Sequence, residues 1–234
     1  MLLYIVRHGD PIYEPDTLTE KGRMQAAALA KRLSVHGLQK IFTSPNGRAR
    51  ETAQPTCDLL GLPYTVEDWT SENHTWRDFA VPNQNGYLAW IFDVQNTKLR
   101  SEDVLPLGDR WYEADCFKAV DGKKGYERIV DCSDEFLARL GYVREGNVYR
   151  VSAANDDRVA VFCHWGFGSI WLSHLLAISP HIFWAGFSIT HTGVTVIEFE
   201  NHPDDYTAPR CLCLSDTAHL YKEELSLSRP SPAR

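Results

Sequence analysis

Two apolar runs in this chain each break at a histidine. Residues 2–6 read Leu-Leu-Tyr-Ile-Val and end at Arg7-His8-Gly9, and residues 159–163 read Val-Ala-Val-Phe-Cys and end at His164. A continuous apolar run of this length suits a strand buried on both faces. In a parallel sheet the carboxyl ends of such strands open onto the crevice where ligands bind, so two strands can deliver two imidazoles to one pocket. Either histidine alone reads more readily as a capped or core residue; the two together with the arginines reverse that reading. Arg7 directly precedes His8, and Arg48 falls in the first turn of a helix that Ser44-Pro45 is expected to open, a capping hydroxyl followed by proline. A helix N-terminus presents free N–H groups and a positive dipole end to an anion, and a guanidinium there adds a bidentate grip on phosphate oxygens. Arg50 points elsewhere and is assigned to the surface or to a secondary contact.

Positioning these groups requires strands alternating with helices. Thr19 opens a helix with Glu20 and Lys21 in its first turn; Ala26, Leu29, Ala30 and Leu33 form its apolar face, and Gly37 stops it. A short strand is expected near residues 40–43, then the helix carrying Arg48, with Ala49, Ala53, Cys57 and Leu60 along one side, then a strand at 63–67. Between residues 72 and 157 the periodicity loosens. Trp69, Trp76, Trp90 and Trp111 lie in or just before this stretch, and one helix is expected at 133–140 with Phe136, Leu137 and Leu140 inward and Gly141 past its end. Regularity returns with the strand at 159–163 and a helix at 169–178. A terminal hairpin of 193–200 and 209–214 follows, joined by a polar loop at 201–207, and the tail at 226–234 is expected to fray. The fold class expected is α/β, a three-layer sandwich whose mainly parallel central sheet is flanked by helices. The chain is read as one domain over 1–225, with a partly helical cap inserted at about 73–156.

Composition narrows the function. The 234 residues carry 24 Lys plus Arg against 31 Asp plus Glu, a net charge of −7, which argues against a nucleic-acid partner. It leaves room for a small anion held by clustered arginines. With 44% hydrophobic and 24% charged residues, the chain is neither disordered nor fibrous. No apolar run approaches the length of a membrane span, and the N-terminal stretch lacks the features of a signal peptide. Cys57, Cys116, Cys132, Cys163, Cys211 and Cys213 form no CxxC pattern and are read as reduced thiols of a cytoplasmic protein. Gly166-Phe-Gly168 lacks the third glycine of a dinucleotide loop, because Trp171 stands in its place. Ser169 lies outside any nucleophile elbow, and neither H-E-x-x-H nor H-x-H occurs, so no metal or cofactor is expected.

Three blocks, Leu3-Tyr-Ile-Val-Arg-His-Gly9, Leu18-Thr-Glu-Lys-Gly-Arg-Met-Gln-Ala26 and Thr43-Ser-Pro-Asn-Gly-Arg-Ala-Arg-Glu-Thr-Ala53, resemble the histidine phosphatase superfamily, the phosphoglycerate mutase-like family. Val161-Phe-Cys-His-Trp-Gly166 and Asp216-Thr-Ala-His-Leu220 extend the resemblance over nearly the whole chain, the middle insert matching loosely. The resemblance implies that His8 is the nucleophile that takes the phosphoryl group, that Arg7, Arg48 and His164 form the phosphate pocket, and that Glu72 is the proton donor; Asp10, adjacent to Arg7-His8-Gly9, is the competing acid by position. A neutral imidazole suits the first role, since it splits hydrolysis into two displacements. The loose transition state of phosphoryl transfer asks mainly for alignment and neutralised oxygens. A carboxylic acid kept partly protonated can supply the leaving alkoxide with its proton. Trp165 departs from the family's usual glycine after the second histidine; its ring either narrows the pocket or stacks on substrate, and the tryptophans of the insert either line a ligand pocket or pack the cap.

The function expected is a metal-independent phosphomonoesterase acting on a small organic phosphate through phosphohistidine. The alternatives are a phosphoglycerate-type phosphomutase, which needs a closed pocket, and a non-catalytic phosphate-binding module on the same fold. Partners expected are the small phosphorylated substrate, with neither nucleic acid nor membrane; a homodimer stays open.

Overall fold

Residues 2–6 are buried on both faces because alternate side chains enter two different cores. In the computed structural model, which describes residues 1–201 and 205–227, strand β1 (Leu2–Arg7) pairs in parallel with β4 (Arg158–Cys163), with Leu3 opposite Val159 and Ile5 opposite Val161. Those four side chains point into a core shared with the middle segment, whereas Tyr4, Val6, Ala160 and Phe162 point into a second core with Leu29, Leu33 and Ala53. A period of two with both faces apolar is what a helix-covered sheet demands.

The sheet has six strands. Besides β1 and β4 these are β2 (Lys40–Thr43), β3 (Tyr64–Val66), β5 (Val194–Glu198) and β6 (Arg210–Asp216), in the spatial order β6-β5-β1-β4-β2-β3. Only β5 runs against the rest, pairing antiparallel with β1 and with β6. The terminal hairpin is therefore an edge of the main sheet; residues 202–204 of its loop and 228–234 of the tail lie outside the described residues. Helices α1 (Glu20–His36) and α2 (Gly47–Leu60) pack against one face. Thr19 Oγ1 accepts from Gly22 N at the start of α1, and Gly37 ends it in the left-handed region at φ 71°.

On the other face lie α3 (Glu72–Phe79), α4 (Gly122–Arg139), α5 (Trp165–Leu175) and α6 (Pro180–Gly186). Two of these helices start earlier than the sequence pattern predicts. Helix α4 begins at Gly122, eleven residues ahead of the expected 133, because Gly122 and Gly125 are needed for close packing. A Cβ at Gly122 would meet Trp111 at 2.9 Å, and one at Gly125 would meet Phe79 at 2.9 Å. Helix α5 spans Trp165–Leu175 rather than 169–178; Gly166 and Gly168 weaken its propensity, but a carboxylate from elsewhere caps its first turn. Among the described residues no helix is long and apolar enough to cross a membrane.

Candidate active site

The carboxyl ends of β1 and β4 are neighbours, and they bring the two histidines together. The His8 and His164 rings lie 5.1 Å apart between centroids. Gly9 follows at the tightest point of the turn: its Cβ would sit 2.7 Å from Gly22 O, so only glycine lets the loop pass over α1. His8 Nδ1 lies 2.7 Å from Gly9 O. A carbonyl only accepts, so Nδ1 carries the proton and the Nε2 lone pair is left outward, where Arg48 Nε–H approaches it at 3.3 Å. Burial, then the charges of His164, Arg7 and Arg48, hold the His8 ring well below its ordinary pKa and keep it neutral.

His164 is fully buried beside His8 and does not itself line the cavity. Its Nε2 lies 2.7 Å from Ser44 Oγ, and Ser44 in turn donates to Asn46 Oδ1 at 3.0 Å. Ser44 therefore accepts from His164, leaving Nδ1 with no partner among the described residues. This use of Ser44 displaces the expected helix cap. Helix α2 begins at Gly47, with Asn46 at the N-cap position making no side-chain cap bond. The cap comes instead from Asp16, whose carboxylate accepts from Gly47 N at 2.8 Å, Arg48 N at 3.4 Å and Arg48 Nη1 at 2.7 Å. The expectation of free amides for phosphate at this helix start is thus corrected: a carboxylate already takes them. The Tyr13 ring lies 5.3 Å from the Arg48 guanidinium carbon. Arg50 is exposed.

Arg7 is buried among neutral partners. Its Nη1 donates to Ile189 O at 2.6 Å and its Nη2 to His191 Nε2 at 2.8 Å, while its Nε has no partner. No carboxylate oxygen lies within 4 Å of it among the described residues. Burial pushes its pKa down to about 10, so it stays charged at neutral pH. An unpaired buried cation is costly, and an anion in the space it faces would relieve that cost.

His191 was not singled out from the sequence. Because β5 is antiparallel, the turn before it returns to the same sheet edge that β1 and β4 leave, and the His191 ring sits 5.5 Å from that of His8. Accepting from Arg7 fixes its proton on Nδ1, 3.5 Å from Asp10 Oδ1. Burial pushes its pKa down to about 3. A histidine just ahead of the alternating run 194–198 was the available signal.

Glu72 opens α3 and reaches across to α5, accepting from Gly166 N at 3.0 Å and Phe167 N at 2.8 Å. Burial pushes its carboxyl above the usual range, although both amides and the charges of Arg48 and Arg7 work against that shift. Asp10 also borders the cavity but is engaged by Thr19 Oγ1 at 2.9 Å and turned toward His191. The other nearby acids are elsewhere: Glu67 is paired with Arg139 at 2.8 Å, and Asp68 is exposed and bonded to His74. The two helix N-termini at this edge, α2 and α5, are thus each capped by a carboxylate, so an incoming phosphate meets side-chain donors rather than helix amides.

These groups share one cavity of about 1300 Å³, which Arg7, His8, Arg48, Glu72 and Trp165 all line. Its outer wall is built by the segment after α3: the hairpin of Ala80–Pro82 and Leu88–Trp90, and the short helix Ile91–Val94. Among the described residues no cluster of His, Cys, Asp and Glu is arranged to hold a metal ion. The six cysteines are free thiols.

Residues 3–77 match the family model of the histidine phosphatase superfamily (branch 1). An adenosylcobalamin/alpha-ribazole phosphatase from Salmonella typhi is 25% identical over 202 residues, 79% of this chain and 84% of that protein. A probable phosphoglycerate mutase GpmB from Serratia proteamaculans is 27% identical over 141 residues, covering 52% of this chain and 66% of its own length. In fold, a phosphoserine phosphatase from Entamoeba histolytica, solved with 3-phosphoglyceric acid, superposes with a TM-score of 0.60 at 19% identity, covering 94% of this chain and 98% of its own. The mainly parallel sheet and the histidines at the ends of β1 and β4 agree with these matches: the chain is similar to proteins of the histidine phosphatase superfamily, whose model its residues 3–77 match.

Proposed function

We propose that the protein is a phosphomonoesterase that works through a phosphohistidine on His8. The observation that carries this reading is the pairing of a neutral, oriented His8 Nε2 with a buried Arg7 that lacks a carboxylate partner. In this reading the phosphoryl oxygens fill the space Arg7 and Arg48 face. His164 gains a second proton as the dianion arrives and donates from Nδ1. Trp165 lies against the leaving group. The His8 Nε2 lone pair attacks phosphorus in line, the bond from phosphorus to the ester oxygen breaks, and that oxygen takes the Glu72 proton. Water then gives its proton to the Glu72 carboxylate as its oxygen attacks phosphorus, the N–P bond breaks, and inorganic phosphate leaves. Each charge-assisted donor on the oxygens contributes roughly 3 kcal/mol to the transition state.

Hydrolysis is favoured over a mutase cycle by the wide cavity, about 1300 Å³. A mutase must keep its dephosphorylated intermediate beside the phosphohistidine, whereas this chamber is far larger than a triose and admits water. The phosphatase activity named for the Salmonella typhi relative supports the same reading. The test is to mix the protein with radiolabelled 4-nitrophenyl phosphate, quench without acid and map the label. Label on His8 and loss of turnover in His8→Ala are expected; turnover that persists in His8→Ala rejects the reading, and the non-catalytic alternative predicts no turnover by either protein.

A further inference from the structure

The charges lining the cavity are separated along its length. Its two guanidiniums, Arg7 and Arg48, both stand at the His8 end, together with Asp10, Asp16 and Glu72. Beyond them the outer chamber has no basic side chain. Its walls are Trp76, Trp90 and Trp165 with Leu88 and Val94, its neutral polar groups are the amides of Asn73 and Asn83, and its one charged residue is Asp93. Asp93 accepts from Trp184 Nε1 at 2.8 Å, and burial raises its carboxyl pKa.

The indoles form a connected wall. Trp76 and Trp90 meet edge-on at 4.6 Å, Trp90 and Trp165 at 6.4 Å, and Trp184 backs both Trp90 and Trp165 at 5.4 and 4.6 Å. Trp76 and Trp165 keep part of their surface open to the cavity, while Trp90 is held by its neighbours. Rigid rings present a large apolar face at little entropic cost and favour edge or offset contacts with another ring. A second anionic group on the substrate, by contrast, would enter a chamber with a carboxylate and no cation to pair it.

We infer that the leaving group is an uncharged alcohol bearing an aromatic ring, not one carrying a carboxylate or a second phosphate. This rests on the phosphatase reading and deepens it by naming the substrate class. The cavity volume fits: about 1300 Å³ exceeds the few hundred cubic ångströms that a small ligand needs.

The test compares kcat/KM for 2-phenylethyl phosphate, ethyl phosphate and 3-phosphoglycerate, whose leaving groups are all alkoxides of similar reactivity. Expected are a preference of at least about 100-fold for phenylethyl over 3-phosphoglycerate, and about tenfold over ethyl phosphate, the latter corresponding to about 1.4 kcal/mol of ring contact. Trp76→Ala and Trp165→Ala should each lower the phenylethyl-to-ethyl ratio severalfold. Val94→Lys, at an exposed position, adds the missing cation and should raise the 3-phosphoglycerate-to-ethyl ratio about tenfold. A wild-type rate on 3-phosphoglycerate equal to or above that on phenylethyl phosphate overturns the inference while leaving the phosphatase reading intact. No turnover of any of the three esters, with no label on His8, removes both.

Discussion

Asp16 and Arg48 form an ion pair of 2.7 Å at the His8 end of the cavity, and the same carboxylate caps the helix that carries Arg48. Asp16 therefore stands where a phosphate oxygen gains the most: on a guanidinium and on helix N-terminal amides. It is both a support for Arg48 and a rival of the ligand. Its own pKa is lowered; burial opposes this, and the bond and charge of Arg48 outweigh it. Asp16→Asn retains an acceptor for Gly47 and removes the rival charge. Inorganic phosphate should then inhibit at a concentration about three- to tenfold lower, with at most about 1 kcal/mol lost from stability. Inhibition constants and urea midpoints check this; weaker phosphate inhibition would show that orienting Arg48 is the larger of the two roles.

The elevated Glu72 carboxyl gives a leaving-group test. Burial holds it above the usual carboxylate range, while His8 is held well below the usual imidazole range. The acid form of Glu72 and the neutral form of His8 therefore coexist in a window below the Glu72 pKa. Turnover of alkyl esters should fall as pH rises through that pKa, and Glu72→Gln should abolish that limb and cost about 10²- to 10⁴-fold. With 4-nitrophenyl phosphate the leaving oxygen needs little help, so the first turnover of Glu72→Gln should stay within about tenfold of wild type. Stopped-flow would then show a burst of one equivalent followed by slow release, since the variant also lacks the base for water attack. Equal losses on both esters would remove Glu72 from the acid role.

How far the site is legible in the sequence follows from how each part is encoded. His8 and His164 sit at the ends of runs whose apolar character is itself the burial signal, so strand, edge and histidine are read together. Arg48 is found despite a misplaced helix start, because two residues of error in α2 leave it in the first turn. His191 and Asp16 are not found, for two different physical reasons. His191 precedes an antiparallel strand, and the rule that sites lie after strands looks at the wrong end of it. Asp16 lies in the irregular connection 8–18, whose only regular structure is the two-residue pairing of Pro11–Ile12 with Thr17–Leu18. Nothing local marks a carboxylate that will cap a helix thirty residues on. In the middle segment, Gly122 and Gly125 lie inside α4 where Trp111 and Phe79 press against the backbone. Tertiary packing overrides propensity in that place.

Gly166 is the backbone counterpart of that packing within the site. A Cβ there would lie 2.5 Å from Trp90 Cη2 and 3.1 Å from Glu72 Oε1. Gly166→Ala must therefore push on a buried indole and on Glu72, the proposed proton donor, together, at a cost of about 1–3 kcal/mol in stability. Activity on alkyl esters should fall by more than the folded fraction accounts for, because Glu72 loses its seat on the α5 amides. Gly168→Ala is the control: its nearest neighbour is Ile189 Cδ1 at 3.3 Å, the end of a flexible side chain, and it should cost less in both measurements. Thermal unfolding alongside kcat separates the two effects; equal behaviour of the two variants would show that the contact with Trp90 and Glu72 does not matter.

Buried and half-buried neutral imidazoles tie stability to pH: His8, His164 and His191 at the site, together with His219, pushed down to about 4, and with His181 and His36, both lowered. All are depressed chiefly by burial, His191 to about 3. In the unfolded chain each takes up a proton near pH 6.5, so below that pH the unfolded state binds more protons than the folded one. Their contribution is complete above pH 6.5 and is lost as pH falls, by up to about 1.4 kcal/mol per unit for each ring. Glu72 has the opposite sign, since its folded pKa is raised: it adds stability below its unfolded pKa and loses it as pH rises through the folded one. Between pH 6 and 5 the imidazoles outnumber it, and stability should drop steeply. His191→Gln, which keeps an acceptor for Arg7, should lower that slope by one ring's share, up to about 1.4 kcal/mol per pH unit, in urea titrations. Millimolar phosphate should flatten the wild-type slope further, because a bound anion favours protonated His164; a slope indifferent to phosphate would place the anion away from these rings.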